Sequence, residues 1–381
     1  MGEFADLFDR RSIVGRKLEN IILERGYTKK DLCEQAGLSR PTLDKLLAGT
    51  LTSKTYYEKH IAKVLEFLLI SPGALLGNTK NQYNRTRELM AIMKVSSEQV
   101  SKATNIPLER LCKIESGEEA SLAELRDIAM CFSVSVRCLK GENFFEPQIS
   151  QYDMFVRFQD ESEKSRLSGF WGHVGVSLHT SQMLWFPITS SVRKMIYNVM
   201  SNDRVVVPCM DNRLLYLNMQ HVKEIVLLDD DCDPPQYVSW DYNVSNGEIP
   251  LVIYEALEDY IFDEMDQESM SEKLKQCLKD FMEKRSLSGE EIEDLVECSR
   301  IYYADGSIRH INIDFQQEES ISEEIETVYL YEETEYLEKN LYCTDIGGAE
   351  VLLNMKNIAM MELPLLKVEN KICETRRGDY E

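Results

Sequence analysis

No stretch of this sequence approaches the roughly 18 to 20 consecutive apolar residues that a membrane-crossing helix requires, so no such helix is expected. The opening MGEFADLFDRR lacks an apolar core followed by a small-residue cleavage site, so no secretory signal is expected there. Ten cysteines are scattered without a single Cys-x-x-Cys pair. Reduced thiols in a cytoplasmic protein are therefore expected, with no structural zinc. A glycine-rich phosphate loop and a nucleophile elbow are both missing. Histidine is scarce: His60, His173, His179, His221 and His310 are all there is. His173 and His179 share a face if the segment between them is a strand, but packing is the expected role rather than a metal. The acidic run DDDCDPP, Asp229 to Pro235, lacks the ordered oxygen spacing of a calcium loop and reads as a solvated turn. Neither catalysis nor a cofactor is expected.

Net charge is abundant and uneven. The 381 residues carry a formal net charge of -23. Residues 1–146 hold 22 basic and 20 acidic residues, and residues 147–381 hold 21 and 46. The acidity thus belongs almost wholly to the C-terminal part, which suggests separate jobs for the two halves. That part is poorly suited to wrapping nucleic acid, because phosphate neutralisation supplies most sequence-independent affinity.

The first half repeats itself. Tyr27 to Thr50, YTKKDLCEQAGLSRPTLDKLLAGT, aligns without a gap on Val95 to Glu118, VSSEQVSKATNIPLERLCKIESGE, at a shift of 68. Leu32 falls on Val100, Leu38 on Ile106, Leu43 on Leu111, Leu46 on Ile114 and Gly49 on Gly117. Past the glycine the match resumes at a shift of 64, so the first copy carries four extra residues near Leu51 to Tyr57. Thr28 is placed to cap a helix that runs to Ala36, with Gly37 closing it. Ser39 is placed to cap the next, whose inner face is Leu43, Leu46 and Leu47. Pro41 is tolerated because first-turn amides have no intrahelical partner. In the second copy Ser96 caps one helix, Pro107 opens the next, and SLAELRDIAMCF supplies a further amphipathic helix.

This layout resembles the Cro/C1-type (XRE-like) helix-turn-helix of phage repressors, bacterial regulators and antitoxins. The first copy carries the resemblance on Thr28, Leu32, Ala36, Gly37, Ser39, Thr42, Leu43, Leu46 and Gly49, and the second on KIESGEEASLAELRDIAMCFSVSVRCLKGE. The resemblance implies that the second helix of each motif enters the major groove of double-stranded DNA, N-terminal residues first. In the first copy its outward residues are Arg40, Pro41, Thr42 and Lys45. Arg40 suits O6 and N7 of a guanine, Thr42 a base or thymine methyl, and Lys45 a base or phosphate. Lys29 opens the preceding helix, where the family meets a phosphate, and Ser39 stands at the cap. The second copy offers Ser97, Leu108, Glu109, Arg110 and Lys113, a poorer DNA face because Glu109 repels phosphate. Residues 10–78 hold 12 basic and 7 acidic residues, whereas residues 79–146 hold 10 of each. For the second copy, DNA contact and protein contact or pseudo-symmetric support both stay open.

From about Asn143 the grammar changes. FFEPQISQYDMFVRFQ and FWGHVGVSLHTSQMLWFPIT read as strands, and Asp211-Asn212 and Asp305-Gly306 read as hairpin turns. Between them lies a helical insert, with Leu274, Leu278 and Phe281 at helical spacing and a capping box at Ser288 to Glu291. A second repeat appears at a shift of 136: RLLYLNMQHVKEIVL, Arg213 to Leu227, resembles AEVLLNMKNIAMMEL, Ala349 to Leu363. Either the apolar strands match by chance, or two related modules pack pseudo-symmetrically and form a partner-binding or ring-forming surface. Small barrels of the Sm type use similar strand–turn–strand grammar.

The expected fold class is α + β multidomain: N-terminal all-α tandem helix-turn-helix bundles, then a β-rich α+β region with a candidate duplicated strand module. The expected segments are 10–78 and 79–146 for the two bundles, 147–250 for a β-rich module, 251–297 for the acidic insert and 298–370 for a second β-rich module. The expected function is a sequence-specific DNA-binding transcriptional regulator, a repressor by default. Its C-terminal region is expected to assemble a homo-oligomer, or to bind an effector or protein partner. The alternative is an antitoxin-like or mobile-element-associated interaction protein whose acidic surface binds a protein partner.

Overall fold

A computed structural model describes residues 7–8, 10–24, 28–68, 70, 72, 75, 84–93, 95–145, 170–179, 183–229, 232–236, 249–262, 269–330 and 338–378. The strand expectation for FFEPQISQYDMFVRFQ beyond Phe145, part of DDDCDPP and most of Ile70 to Asn78 lie outside the described residues. The chain forms an N-terminal helical region and a C-terminal mixed region with antiparallel sheets, as its composition and patterning imply. Among the described residues no helix is long and apolar enough to cross a membrane. Two compact units result, one of residues 1–124 with 139–141, the other of 125–138 with 142–381. The change of composition near residue 146 and this division fall at different places.

In the first unit, α1 (Arg11–Glu24), α2 (Lys29–Gln35), α3 (Arg40–Leu47) and α4 (Lys54–Leu68) form one bundle. Their apolar stripes meet in a core that includes Leu18, Leu32, Leu43, Leu46, Tyr57 and Ile61, all fully buried. Local chemistry sets the ends. Gly37 closes α2 at φ +61, and Ser39 caps α3 by accepting from the Thr42 amide. Next follow α5 (Thr86–Met93), α6 (Ser97–Thr104) and α7 (Leu108–Glu115). Ser96 and Gln99 form a reciprocal capping box on α6, and Asn105 at φ 61 ends it. Buried Leu111 and Ile114 then face inward from α7, as the shift of 68 requires.

Helix α8 (Leu122–Phe132) is buried almost throughout from Leu125 onward, polar residues included. Within the second unit, Arg126 pairs with Asp259 at 2.5 Å, and Asp127 accepts from Ser271 at 2.6 Å. These buried polar bonds explain why the residues from 125 belong with the C-terminal unit. A short α9 (Val136–Lys140) follows.

The remainder is two passes of one theme. The first pass is β1 (Phe170–Leu178), β2 (Met183–Thr189), α10 (Ser190–Val199), β3 (Arg204–Pro208), β4 (Arg213–Asn218), a 3-10 turn (Met219–His221) and β5 (Val222–Asp229). The insert α11 (Leu251–Phe262), α12 (Glu272–Arg285) and α13 (Gly289–Val296) intervenes. The second pass is β6 (Cys298–Tyr303), β7 (Ile308–Asn312), α14 (Ser320–Leu330), β8 (Asn340–Thr344), β9 (Glu350–Asn354), a 3-10 turn (Met355–Asn357) and β10 (Ile358–Pro364). Helix α15 (Leu365–Gly378) ends it.

The shift of 136 holds in three dimensions. Arg204 pairs with Asn218 across one hairpin, and Asn340 with Asn354 across the other. Asn218 and Asn354 each accept, through the side-chain oxygen, from the amide two residues on. The sheets are β2-β1-β5, β3-β4-β10-β6-β7 and β8-β9. Strands β3, β4 and β10 lie between two cores. Val205, Val207, Leu215, Leu217 and Met360 face one, while Val206, Leu214, Tyr216, Met361 and Leu363 face the other. Burial on both faces explains the near-continuous apolar runs there.

His173, on β1, is 3% exposed, and burial pushes its pKa down to about 4. The unfolded chain takes up that proton near pH 6.5, and the folded chain does not until near pH 4. Stability therefore falls as pH drops through this window. Urea melts should show wild type losing about 3 kcal/mol relative to His173→Leu between pH 7 and pH 4. Parallel losses would show that His173 titrates normally.

Candidate nucleic-acid interface

The candidate readers stand on α3 and at the start of α2. Leu43, Leu46 and Leu47 anchor α3 in the core, which turns Arg40, Pro41, Asp44 and Lys45 outward. Pro41 lies in the first turn, where a missing amide costs no helix bond. Close approach of α1 fixes the tilt of α3. A Cβ on Gly15 would stand 2.0 Å from the Leu47 carbonyl oxygen. Gly49, at φ +66, would bring its own Cβ to 2.6 Å from Ser12 Cα.

Charge on this face is arranged by a residue that the outward positions alone did not single out. Asp44 carries a carboxylate that reaches both candidate cations, Oδ2 lying 3.4 Å from Arg40 Nε and Oδ1 3.6 Å from Lys29 Nζ. Lys29 also meets Glu19 at 3.0 Å. The i,i+4 spacing of Arg40 and Asp44 was the available signal. Arg40 remains 56% exposed, so the pair parks the guanidinium without burying it. Lys45 is exposed, and among the described residues no ion pair holds it. Thr42 Oγ1 shares a 2.8 Å hydrogen bond with Ser39 Oγ and lies 3.5 Å from the Tyr56 hydroxyl. Tyr56, 45% exposed, comes from the four-residue excess of the first copy and rests edge-on against His60. It joins the candidate surface as an aromatic with a hydroxyl tip.

Residues 17–80 match the Cro/C1-type HTH DNA-binding domain. No such match is shown for the second copy, and the C-terminal region is unassigned. No curated protein and no solved structure matches the chain. In the Cro/C1-type domain, α3 is thus the helix that the family places in the groove.

Helices α6 and α7 follow one another in the same order as α2 and α3, with different electrostatics. Arg110 donates from Nε and Nη2 to Glu124, from Nη1 to Glu118 and from Nη2 to the Glu119 carbonyl, all at 2.7–2.8 Å. The bonds to Glu124 raise the Arg110 pKa and lower that of Glu124. Lys113 pairs with Glu109 at 3.2 Å, and Ser97 bonds the Glu115 carboxylate. Arg110 here clamps the chain after α7, a role its sequence position does not reveal. By contrast, the first copy keeps its cations at the surface.

Removing the charge of Asp44 should free Arg40 for phosphate and leave Lys29 with Glu19 alone of its two carboxylates. Asp44→Asn is expected to tighten binding to an arbitrary duplex by roughly two- to five-fold at 0.1 M salt, and by less at higher salt. Fluorescence anisotropy checks this, and unchanged or weaker binding would reject the arrangement.

Two further sites lie in the second unit. Asp294, Cys298 and His310 offer ligand atoms within 4.8 Å of one another. Arg300 already holds the Asp294 carboxylate, and burial pushes the Cys298 thiol up to about 11. A polar cavity of about 560 Å³ is lined by Asp203, Arg204, Asn218 and Gln220 and by Lys339, Asn340, Asn354 and Lys356. The two sets are related residue by residue by the shift of 136. Its three cations against one carboxylate stand out in an acidic region. His173 is buried on β1 and His179 is exposed just beyond its end.

Proposed function

We propose that the chain is a sequence-specific DNA-binding transcriptional regulator that acts by occupying an operator, with repression as its default sign. The Cro/C1-type match at residues 17–80 carries this reading. It is supported by a helix whose Arg40 and Lys45 face outward from a buried apolar base, with Thr42 half-exposed between them. The second bundle supports the first, since its arginine is spent on internal carboxylates. The acidic C-terminal unit assembles subunits or receives an effector or protein partner. The chain works by occupancy, with no chemical step of its own. Its place of action is the cytoplasm.

Selection of the full-length chain against a random duplex library tests the proposal. Enrichment of one motif is expected, with affinity falling by several powers of salt concentration. Arg40→Ala should cost about 1–3 kcal/mol on that motif and relax one base position. An unchanged footprint would remove Arg40 from the reading surface. No enrichment at low salt would favour the interaction-protein alternative.

A further inference from the structure

The two passes of the C-terminal unit use their equivalent strands unequally. Strand β10 pairs on one side with β6 and on the other with β4. Its counterpart β5 pairs with β1, the counterpart of β6, and among the described residues has no second neighbour. Strand β4 pairs with β3 and with β10, whereas among the described residues its counterpart β9 pairs with β8 alone. One chain therefore contains one completed seam, β4 to β10, and the two open halves of another.

Both open edges are built for pairing. The Met355 amide donates to the Lys339 carbonyl and the Asp345 amide to the Ala349 carbonyl. Ladder bonds alternate along an antiparallel strand, so the peptide groups of Glu350, Leu352 and Asn354 point away from β8. Leu352 is 69% exposed on this edge. On β5 the run Ile225, Val226 and Leu227 is only half-buried, whereas its counterpart Met361, Glu362 and Leu363 is fully buried beside β4. Long apolar edges are usually blunted by charge, proline or a cover; here the middle of each edge is apolar, Leu352 on β9 and Ile225 to Leu227 on β5, while Glu350 and Asn354 flank the one and Lys223, Glu224 and Asp229 the other.

We infer that β9 of one chain pairs antiparallel with β5 of a second copy, repeating between chains the β4–β10 seam found within each. The known seam sets Met361 opposite Tyr216 and Glu362 opposite Leu215. Moved by 136, it sets Ile225 of one chain opposite Leu352 of the next, and Val226 opposite Val351. Such contact is heterologous, and closing it into a ring consumes both edges of every chain. The cavity fits this geometry. Arg204, Asn218 and Gln220 already face Asn340, Asn354 and Lys356 across one opening, so each added chain brings the same turns to the same face.

This inference deepens the assembling role proposed above and rests on it alone, not on DNA binding. The test is the mass of the full-length chain, without DNA, by light scattering and native mass spectrometry. A defined multiple of 44.1 kDa is expected. Leu352→Pro removes only an outward amide, so the monomer should keep its melting transition while the multiple collapses to one chain. Leu352→Lys should also dissociate it, and Leu352→Lys mixed with Ile225→Glu chains should restore a two-chain species. A monomeric wild type, or a multiple that survives Leu352→Pro, would overturn the inference. DNA selection scored on the same monomeric variant reads the regulator proposal separately.

Discussion

Glu362→Ala is expected to destabilise the C-terminal unit by about 3–5 kcal/mol, the range for removing one partner from a buried ion pair. Glu362 is on β10, the central strand of the five-stranded sheet, and is 2% exposed. Its carboxylate accepts from Arg300 Nη1 at 2.6 Å and from the Tyr302 hydroxyl at 3.0 Å, and lies 3.2 Å from Arg213 Nε. Arg213 is itself buried, held by the carbonyls of Cys298 and Asp294. Truncation leaves its charge in a place water does not reach, with Asp211 near it, a carboxyl that burial pushes up to about 7. Arg300 suffers less, because Asp294 still pairs with it. Glu362→Gln keeps an acceptor and loses only the charge, so its cost should be smaller. Urea unfolding of the full chain reads both. A loss below about 1 kcal/mol for Glu362→Ala would mean that the sheet tolerates the unpaired cation.

Gly15→Ala should have the second-largest effect, and its sign is diagnostic. Helix propensity alone would make alanine better than glycine by about 0.8–1 kcal/mol inside a helix. Against this stands a Cβ placed 2.0 Å from Leu47 O and 2.7 Å from Leu47 C. Both are backbone atoms of the reading helix, so no side chain can swing away. Helix α1 must lift off α3, at the upper end of the roughly 1–3 kcal/mol typical of overpacking. Operator affinity should fall with stability, because the tilt of α3 carries Arg40 and Thr42. Ile13→Ala, two residues earlier and on an exposed side chain, should change stability by no more than about 0.5 kcal/mol. Calorimetry paired with operator titration distinguishes the outcomes. A rise in melting temperature for Gly15→Ala would show that the helices separate freely.

Local signals were legible in the sequence wherever one turn of chain decides the structure. Ser39, Ser96 and Ser288 cap the helices that their spacing announces. Gly37 and Gly49 adopt the left-handed backbone, and Asp305-Gly306 turns the β6–β7 hairpin. The recurrence at a shift of 136 was readable as well, because the order of apolar and turn residues is kept across it. Leu217-Asn218-Met219 and Leu353-Asn354-Met355 enter the same asparagine-capped turn in both passes.

The sequence by itself thus determined many of the elements, their caps and the Cro/C1-type domain of residues 17–80. Only the tertiary structure decided which groups stay available. Arg40 and Arg110 both stand in the first turn of their helices, yet one remains at the surface and the other is clamped by Glu118 and Glu124. Glu124 is 14 residues from Arg110, beyond the reach of any helical period. The seam between β4 and β10 joins residues 143 to 151 positions apart, and periodicity names a strand's faces without naming its partner. Side-chain charge and strand pairing act through space, so residue order alone leaves both undetermined.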